Sequence, residues 1–288
     1  MCGETQVVLV TGASGFVGAA VTLELLKQGY KAKGTVRSQE KADAFDAVYP
    51  EHTGSITWSI VPGTGYRRAR CRSRIAPRVA LPLLCQRPGK GDAPTGAAGL
   101  AAGINLRQGY RPGYTYSELD WNPITWEQVM MIGDPAVAYL ASKKFADQAA
   151  WNYMSTHAPK FALTRICPPM IFGPPMQPVE RMKELTMSTA DAAKLHVDAL
   201  SHPASANQRY LAIGGHYSYA QVAHIIAQHQ PELATAGKVT PSVGEPATHF
   251  DTDSGKAETE FEMGWSSINV LEIPWISCWN WRRSLGFE

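Results

Sequence analysis

Residues 6–18 of the chain read Gln6-Val-Val-Leu-Val10-Thr-Gly12-Ala-Ser-Gly15-Phe-Val-Gly18. The run up to Val10 is short, apolar and rich in β-branched residues, which is typical of a buried parallel strand. The glycines then lead into residues 17–28, where apolar residues fall at helical spacing and Gly29 follows as a helix stop. A further short stretch, Tyr30–Val36, predicts a second strand. This segment therefore predicts a βαβ unit.

The spacing of the three glycines is typical of a dinucleotide-binding turn. The first glycine permits the tight turn, the second lets backbone N–H groups approach a pyrophosphate, and the third allows close helix–strand packing. The alternative is an ordinary turn between a strand and a helix. The strand before the turn, the helix after it and the second strand at the right distance together favour the dinucleotide site.

The residues after the second strand predict which dinucleotide binds. An NAD site usually has an acidic residue there for the ribose 2′-hydroxyl, but residues 33–38 contain none, and Arg37 ends the strand instead. An arginine can pair with a 2′-phosphate, and Lys41 adds a second positive charge if a helix begins after Ser38. The alternative for both side chains is solvated surface charge. We therefore predict NADPH rather than NADH.

A second chemical motif is Tyr139-Leu-Ala-Ser-Lys143, within the predicted helix Ala138–Trp151. At this spacing the phenol and the ammonium lie on one face of a helix. A lysine so placed can lower the pKa of the phenol and hold a ribose, which makes Tyr139 a candidate general acid for a carbonyl oxygen. A tyrosine and a lysine at this spacing are common in proteins and alone indicate no function. Here they follow a predicted dinucleotide turn, which favours a catalytic role.

Composition sets the class of protein. The chain has 288 residues, 44% of them apolar and 18% charged, enough for one large domain or two small ones. No stretch approaches the roughly 20 uninterrupted apolar residues of a membrane helix, and no signal-peptide pattern precedes the first strand. The five cysteines are never spaced as CxxC, so neither a disulfide framework nor a metal site is indicated. We expect a soluble, cytoplasmic protein.

Segment 63–112 differs from the rest of the chain. It holds ten Arg or Lys and one acid, a charge of +9, which leaves −7 for the remainder of a chain whose net charge is +2. It is also rich in Gly, Pro and Ala and has little periodicity. A basic insertion that binds nucleic acid is one interpretation, but the arginines lack interleaved aromatic residues and no nucleic-acid module surrounds them. We do not expect a nucleic-acid partner.

Several motifs follow one another in a fixed order: Val10–Gly18, Val36–Lys41, Asp120-Trp-Asn-Pro123, Tyr139–Lys143, Pro168-Pro-Met-Ile-Phe-Gly-Pro174, Ala192–Val197 and Asn207-Gln-Arg-Tyr210. Together they resemble the extended short-chain dehydrogenase/reductase family, in the branch of dihydroflavonol reductase, cinnamoyl-CoA reductase and the fungal NADPH-dependent methylglyoxal and aldehyde reductases. The resemblance covers roughly residues 5–61 and 114–265. It implies that Tyr139 is the catalytic acid and Lys143 its partner. It further implies the cofactor-binding residues: Gly12, Gly15, Phe16, Val17 and Gly18 at the phosphates, Arg37 and Lys41 at the 2′-phosphate, Tyr139 and Lys143, and the loop from Pro168 to Ile171 at the nicotinamide.

The chain departs from this family between the second strand and the tyrosine helix. An acidic residue beside the adenine, two strands and the serine that helps to bind the substrate carbonyl have no counterpart, and segment 63–112 stands in their place. The stretch near residues 184–190 is also shorter by some tens of residues. We assign no catalytic serine. Our hypothesis is that this chain is a gene-model or splicing product in which segment 63–112 is read in a shifted frame. Sequencing the transcript would test this hypothesis.

The expected fold is α/β, a Rossmann-type doubly wound parallel sheet that is thin or irregular where two central strands are missing. Residues 1–175 would form the NADP-binding domain and residues 176–288 a small substrate-binding lobe. The expected function is NADPH-dependent reduction of a small-molecule ketone or aldehyde, with Tyr139 as proton donor. A catalytically impaired relative that at most binds nucleotide or a partner is the alternative, and an epimerase or dehydratase is a weaker third. The substrate and the oligomeric state cannot be predicted.

Overall fold

The chain alternates parallel strands with helices. A computed structural model describes residues 6–62, 111–132, 134–169, 171, 189–215, 219–229, 231–237 and 250–266. Within these ranges the strands are β1 Val7–Val10, β2 Lys31–Val36, β3 Ile56–Ile60, β4 Thr115–Tyr116, β5 Thr164–Cys167, β6 Gln208–Leu211 and β7 Asp251–Thr252. The helices are α1 Phe16–Lys27, α2 Gln39–Val48, α3 Trp126–Ile132, α4 Pro135–His157, α5 Thr189–Ser201, α6 Tyr219–His229, α7 Pro231–Thr235 and α8 Gly255–Phe261.

The predicted βαβ unit is confirmed, with each boundary within one residue of the prediction. Helix α1 begins directly after Gly15 and buries Val17, Val21 and Leu25. It ends before Gly29, whose φ of +85° lies in the left-handed region that favours glycine at a helix C-terminus. Helix α2 begins after Ser38, which is the condition that the sequence analysis set for Lys41, and it places Lys41 in its first turn.

The strands form three sheets among the described residues, and every pair is parallel. The largest has the order β1-β2-β3, while β5 pairs with β6 and β4 with β7. In the described ranges no strand is hydrogen-bonded to the free edge of β1. The parallel α/β class is therefore confirmed, and the described sheet is divided where the sequence indicates two missing central strands. Most of the segment that replaces them, residues 63–110, lies outside the described residues.

Helix α5 joins the two larger sheets through the core. Its Ala193 and Val197 pack with Val8 and Val10 of β1 and with α1, and its Leu195 packs in a second cluster. That second cluster also holds Ile166 of β5, Tyr210 of β6 and Phe261 of α8. Helix α5 and strand β6 both follow residue 175, so elements of the predicted substrate-binding lobe contact the nucleotide-binding half. The boundary at residue 175 stays a prediction.

Helix α4 is longer than the sequence predicts. It extends three residues before and six residues after the predicted Ala138–Trp151. His196 is buried in α5 and contacts the Ala192 carbonyl oxygen, and His224 is exposed on α6. Among the described residues, no helix is long and apolar enough to cross a membrane.

Candidate active site

The glycine turn is fixed to β2 by two hydrogen bonds. The Gly12 N–H donates to Thr35 Oγ1 at 3.0 Å, and the Ala13 N–H donates to the Thr35 carbonyl oxygen at 3.1 Å. Gly12 has a φ of +66°, which a residue with a Cβ adopts only with strain. The glycines could be predicted from their spacing, whereas Thr35 was missed. The sequence feature that could have indicated Thr35 is a hydroxyl side chain one position before the end of β2, the strand that ends beside the turn.

The start of α1 fits the pyrophosphate of a dinucleotide. A Cβ on Gly18 would lie only 2.1 Å from the Gly12 carbonyl oxygen, and one on Gly15 would lie 3.1 Å from the same atom, so the turn and the helix approach more closely than side chains allow. Gly15 is the N-cap, with no side-chain cap, and the first turn, which begins with Phe16 and Val17, contains no acid. The N–H groups at this end carry positive partial charge, which favours phosphate oxygens.

Two cations lie close together in the chain, at the end of β2 and the start of α2. Arg37 directly follows β2, and Lys41 lies in the first turn of α2. Both side chains are exposed, so they can meet a phosphate without first breaking a buried contact. The arrangement is the one predicted for NADPH, because a cation rather than an acid ends the second strand.

Tyr139 and Lys143 lie on one face of α4, as their spacing predicts. The Lys143 Nζ lies 4.8 Å from the centroid of the Tyr139 ring, and Lys143 is only 6% exposed. Burial raises the pKa of the Tyr139 phenol above its ordinary value of 10.0, opposite to the lowering that we expected from the lysine. The desolvated phenol therefore holds its proton at neutral pH, which is the state that a general acid needs.

The loop before α3 contacts α4 next to this pair. The Lys144 Nζ donates to the Ile124 carbonyl oxygen at 2.5 Å, and burial lowers the pKa of this lysine. Ile124 follows the Asp120-Trp-Asn-Pro123 motif, and Asn122 Oδ1 accepts the Ile124 N–H at 3.0 Å. This motif therefore forms a turn that lies against the helix of Tyr139.

A buried charge cluster on α4 was not predicted from the sequence. Asp147, which is fully buried, accepts from Arg165 Nε of β5 at 2.6 Å and from Arg209 Nε of β6 at 3.3 Å. The Arg209 Nη1 also donates to the Glu118 and Asp120 carbonyl oxygens at 2.8 Å each. Arginines inside buried strands are the signal that could have indicated the cluster, because a buried guanidinium requires an acidic partner.

The predicted nicotinamide loop follows β5. Pro168 is half-buried after Cys167, and Ile171 is buried in the cluster that contains Ala13 and Val17 of the glycine turn. The other residues of this motif, Met170 and 172–174, lie outside the described residues. Strand β5 and its loop thus contact both halves of the site, since Arg165 binds α4 and Ile171 packs against the turn. The glycine turn, the cationic end of β2 and the Tyr–Lys helix are thus arranged as the sequence predicts for a dinucleotide-binding α/β protein of the reductase type.

Comparison with known proteins shows which family and which reductases this chain is similar to. Residues 8–58 match the sequence model of the NAD dependent epimerase/dehydratase family. An oxidoreductase of Schizosaccharomyces pombe is 28% identical, with 78% of this chain and 83% of the relative covered. The NADPH-dependent methylglyoxal reductase GRE2 of Saccharomyces cerevisiae is 27% identical, with 84% of this chain and 87% of the relative covered. These similarities agree with the resemblance to the extended short-chain dehydrogenases/reductases that the sequence motifs indicate.

Solved structures confirm the fold. The structure of yeast methylglyoxal/isovaleraldehyde reductase Gre2 complexed with NADPH superposes with a TM-score of 0.73 at 21% identity, and covers 98% of this chain and all of that one. Gre2 from Candida albicans gives a TM-score of 0.74 at 22% identity, with 93% of this chain and 97% of that one covered. These similarities support a Rossmann-type fold.

The sequence alignments also show where this chain differs. The alignment with the S. cerevisiae reductase runs over 320 positions, whereas 84% of 288 residues amounts to about 242, so about 78 positions have no counterpart here. The same comparison with the S. pombe relative gives 278 positions against about 225 residues, a shortfall of about 53. This shortfall agrees with the pieces that the motif order indicates to be missing.

Proposed function

We propose that this chain is an NADPH-dependent reductase of a small-molecule ketone or aldehyde. The observation that carries the proposal is the pairing of Tyr139 with Lys143 on α4, with the ammonium 4.8 Å from the ring centroid. The pair occurs in a chain whose β1–α1 turn fits a dinucleotide pyrophosphate. The NADPH dependence of the yeast relative supports the choice of cofactor.

The residues that would hold the cofactor come from three elements. The backbone of Gly12, Gly15 and the first turn of α1 would bind the pyrophosphate, and Arg37 with Lys41 would bind the 2′-phosphate. The loop of Pro168 and Ile171 would line the nicotinamide side. When bound, NADPH supplies the hydride that reduces the carbonyl carbon.

Tyr139 would donate its phenolic proton to the carbonyl oxygen of the substrate. Burial keeps the phenol protonated, and the charge of Lys143 would stabilise the phenolate that remains after the proton has left. Rates should therefore fall as the pH rises through the pKa of the phenol, which lies above 10.0. We also propose that residues 176–288 contribute most of the substrate-binding lobe.

A matched pair of variants on α4 tests this function. Tyr139→Phe removes the phenol that we assign as proton donor, and Tyr153→Phe makes the same change at a position that is 46% exposed and stacked on His157. With NADPH and a panel of small aldehydes and ketones, we expect Tyr139→Phe to lower kcat by about 10²–10⁴-fold. Tyr153→Phe should keep wild-type rates. Equal rates for Tyr139→Phe and the wild type would refute the role of Tyr139.

A second candidate is a relative that binds the nucleotide but does not turn over a carbonyl substrate. It is favoured by the shortfall of about 53 to 78 aligned positions and by the β1 edge, which has no hydrogen-bonded strand among the described residues. NADPH binding without turnover on any substrate of the panel would support this candidate. Turnover that disappears in Tyr139→Phe would exclude it.

A further inference from the structure

Asp147 continues the stripe of Tyr139 and Lys143 along α4. The three residues are four positions apart, so they lie on one face, and Asp147 is about 6 Å along the axis from Lys143. It is also the only acidic residue among the 23 residues of the helix. A contact that restrains Asp147 therefore restrains the helix face that carries the proposed proton donor.

The two arginines hold this carboxylate from outside the helix. Arg165 Nε and Arg209 Nε contact different oxygens of Asp147, at 2.6 and 3.3 Å. Arg209 is fixed in turn by the Glu118 and Asp120 carbonyl oxygens and by the Trp121 ring, whose centroid lies 4.1 Å from its Cζ. Because charged hydrogen bonds to both oxygens are directional, they define the rotation of the carboxylate and of the helix.

Two other contacts of α4 reach the segment that precedes it in the chain: the Lys144 Nζ donates to the Ile124 carbonyl oxygen, and the Phe145 ring packs against Trp126 of α3. The Asp147 cluster instead connects the helix to strands β5 and β6. The cluster also carries a net charge of +1 in a buried place, where well-packed apolar residues would often be at least as stable. Stability alone therefore does not explain why this place is ionic rather than apolar.

We propose that Asp147 is a positioning residue that, held by Arg165 and Arg209, fixes the rotation of α4 and thereby the direction of Tyr139 and Lys143. The proposal rests on the proposed reductase function for its catalytic consequence. The same cluster links α4 to β5, which leads into the loop of Pro168. It would therefore set the proton donor and the nicotinamide side of the site relative to each other.

The test compares Asp147→Asn with Asp147→Glu and with Phe45→Leu. Asp147→Asn keeps the size of the side chain but leaves two buried guanidinium groups without their anion, whereas Asp147→Glu keeps the charge. Phe45 is fully buried in a separate cluster of α1, α2, β2 and β3, so its substitution lowers stability away from α4. All variants are assayed at a temperature where circular dichroism shows them folded.

Two readouts separate positioning from general stability. We expect Asp147→Asn to lower kcat by about 10-fold or more with the KM for NADPH within about 3-fold, because small misplacements of a reacting group are costly. Asp147→Glu should recover part of the rate. Amide hydrogen exchange should rise in peptides of residues 138–146 but not in those of α1. Phe45→Leu should lower the melting temperature but should neither lower kcat nor increase amide exchange in residues 138–146.

Results other than these also have a defined meaning for the positioning role of Asp147. Unchanged kcat in folded Asp147→Asn, or exchange that rises equally in α1 and α4, would overturn the positioning role while the reductase function stands. If the wild type shows no turnover, the proposed function fails and the exchange measurement alone decides about Asp147. If Asp147→Asn does not fold, Arg165→Lys replaces it, since lysine keeps the charge but loses the planar fork, and the same local exchange and kcat loss are expected.

Discussion

Gly18→Ala tests how closely the start of α1 approaches the glycine turn. The new Cβ would lie 2.1 Å from the Gly12 carbonyl oxygen, 2.9 Å from the Gly12 carbonyl carbon and 3.1 Å from Ala13 Cα. All three are backbone atoms, so the clash cannot be relieved by the rotation of a side chain. Ordinary contact begins at 3.4 Å, so the turn and the helix must separate by about 1.3 Å.

This displacement has two consequences of calculable size. Overpacking of this kind costs about 1–3 kcal/mol, which corresponds to a fall of about 2–12 °C in the melting temperature of a domain this large. It also moves the first N–H groups of α1 away from where a pyrophosphate would bind. We expect the Kd for NADPH to rise by about 10-fold or more, equivalent to about 1.4 kcal/mol or more.

Gly29→Ala provides the matched control, because Gly29 lies at the opposite end of the same helix. Its φ is +85° and no atom would lie within 4 Å of the added methyl group, so alanine costs about 1–2 kcal/mol of backbone strain without displacing a neighbour. Calorimetric titration with NADPH should show weakened binding for Gly18→Ala and unchanged binding for Gly29→Ala at similar loss of stability. Equal NADPH affinity in both variants would refute the assignment of the turn to the phosphates.

Three further predictions concern the site and the core. Arg37→Ala should weaken NADPH binding by about 10–100-fold and leave NADH binding unchanged. The control Lys31→Ala, at the other end of β2, should change the affinity for neither nucleotide. An equal loss of affinity for both nucleotides in Arg37→Ala would contradict this prediction. Thr35→Val should leave the Gly12 N–H without its acceptor and cost about 1–3 kcal/mol in denaturant unfolding, and Thr35→Ser should not. Burial lowers the pKa of His196 in the folded chain, so the unfolded chain binds the extra proton; stability should fall as the pH drops below about 6.5, and less steeply in His196→Gln.

The β1–α1–β2 unit could be predicted to within one residue because local signals agree there. The apolar run, the glycines and the helical spacing all indicate the same boundaries. The pairing of Tyr139 with Lys143 was likewise fixed by helix geometry alone. Strand β3 and helices α3 and α8 were not predicted. Helix α8 has seven residues, and its burial rests on Ala257 and Phe261, which pack against β5, β6 and α5.

The three members of the charge cluster could not be paired from the sequence, because they are far apart in the chain. Arg165 is 18 residues and Arg209 is 62 residues from Asp147, and they meet only because β5 pairs with β6 beside α4. The pKa of Tyr139 also depended on tertiary structure. The spacing indicated the neighbouring positive charge but not the burial that raises the pKa of the phenol. Local patterns therefore predict which residues share an element, and packing decides their electrostatics.

The central claim is that the turn and the cationic end of β2 form an NADPH site in this chain. Titration of the purified full-length protein with NADPH and with NADH at one fixed ionic strength tests it most directly. We expect saturable binding of NADPH that is about 10-fold or more tighter than that of NADH, because Arg37 and Lys41 would contact only the 2′-phosphate. No binding of either nucleotide, or equal affinity for both, would contradict this claim.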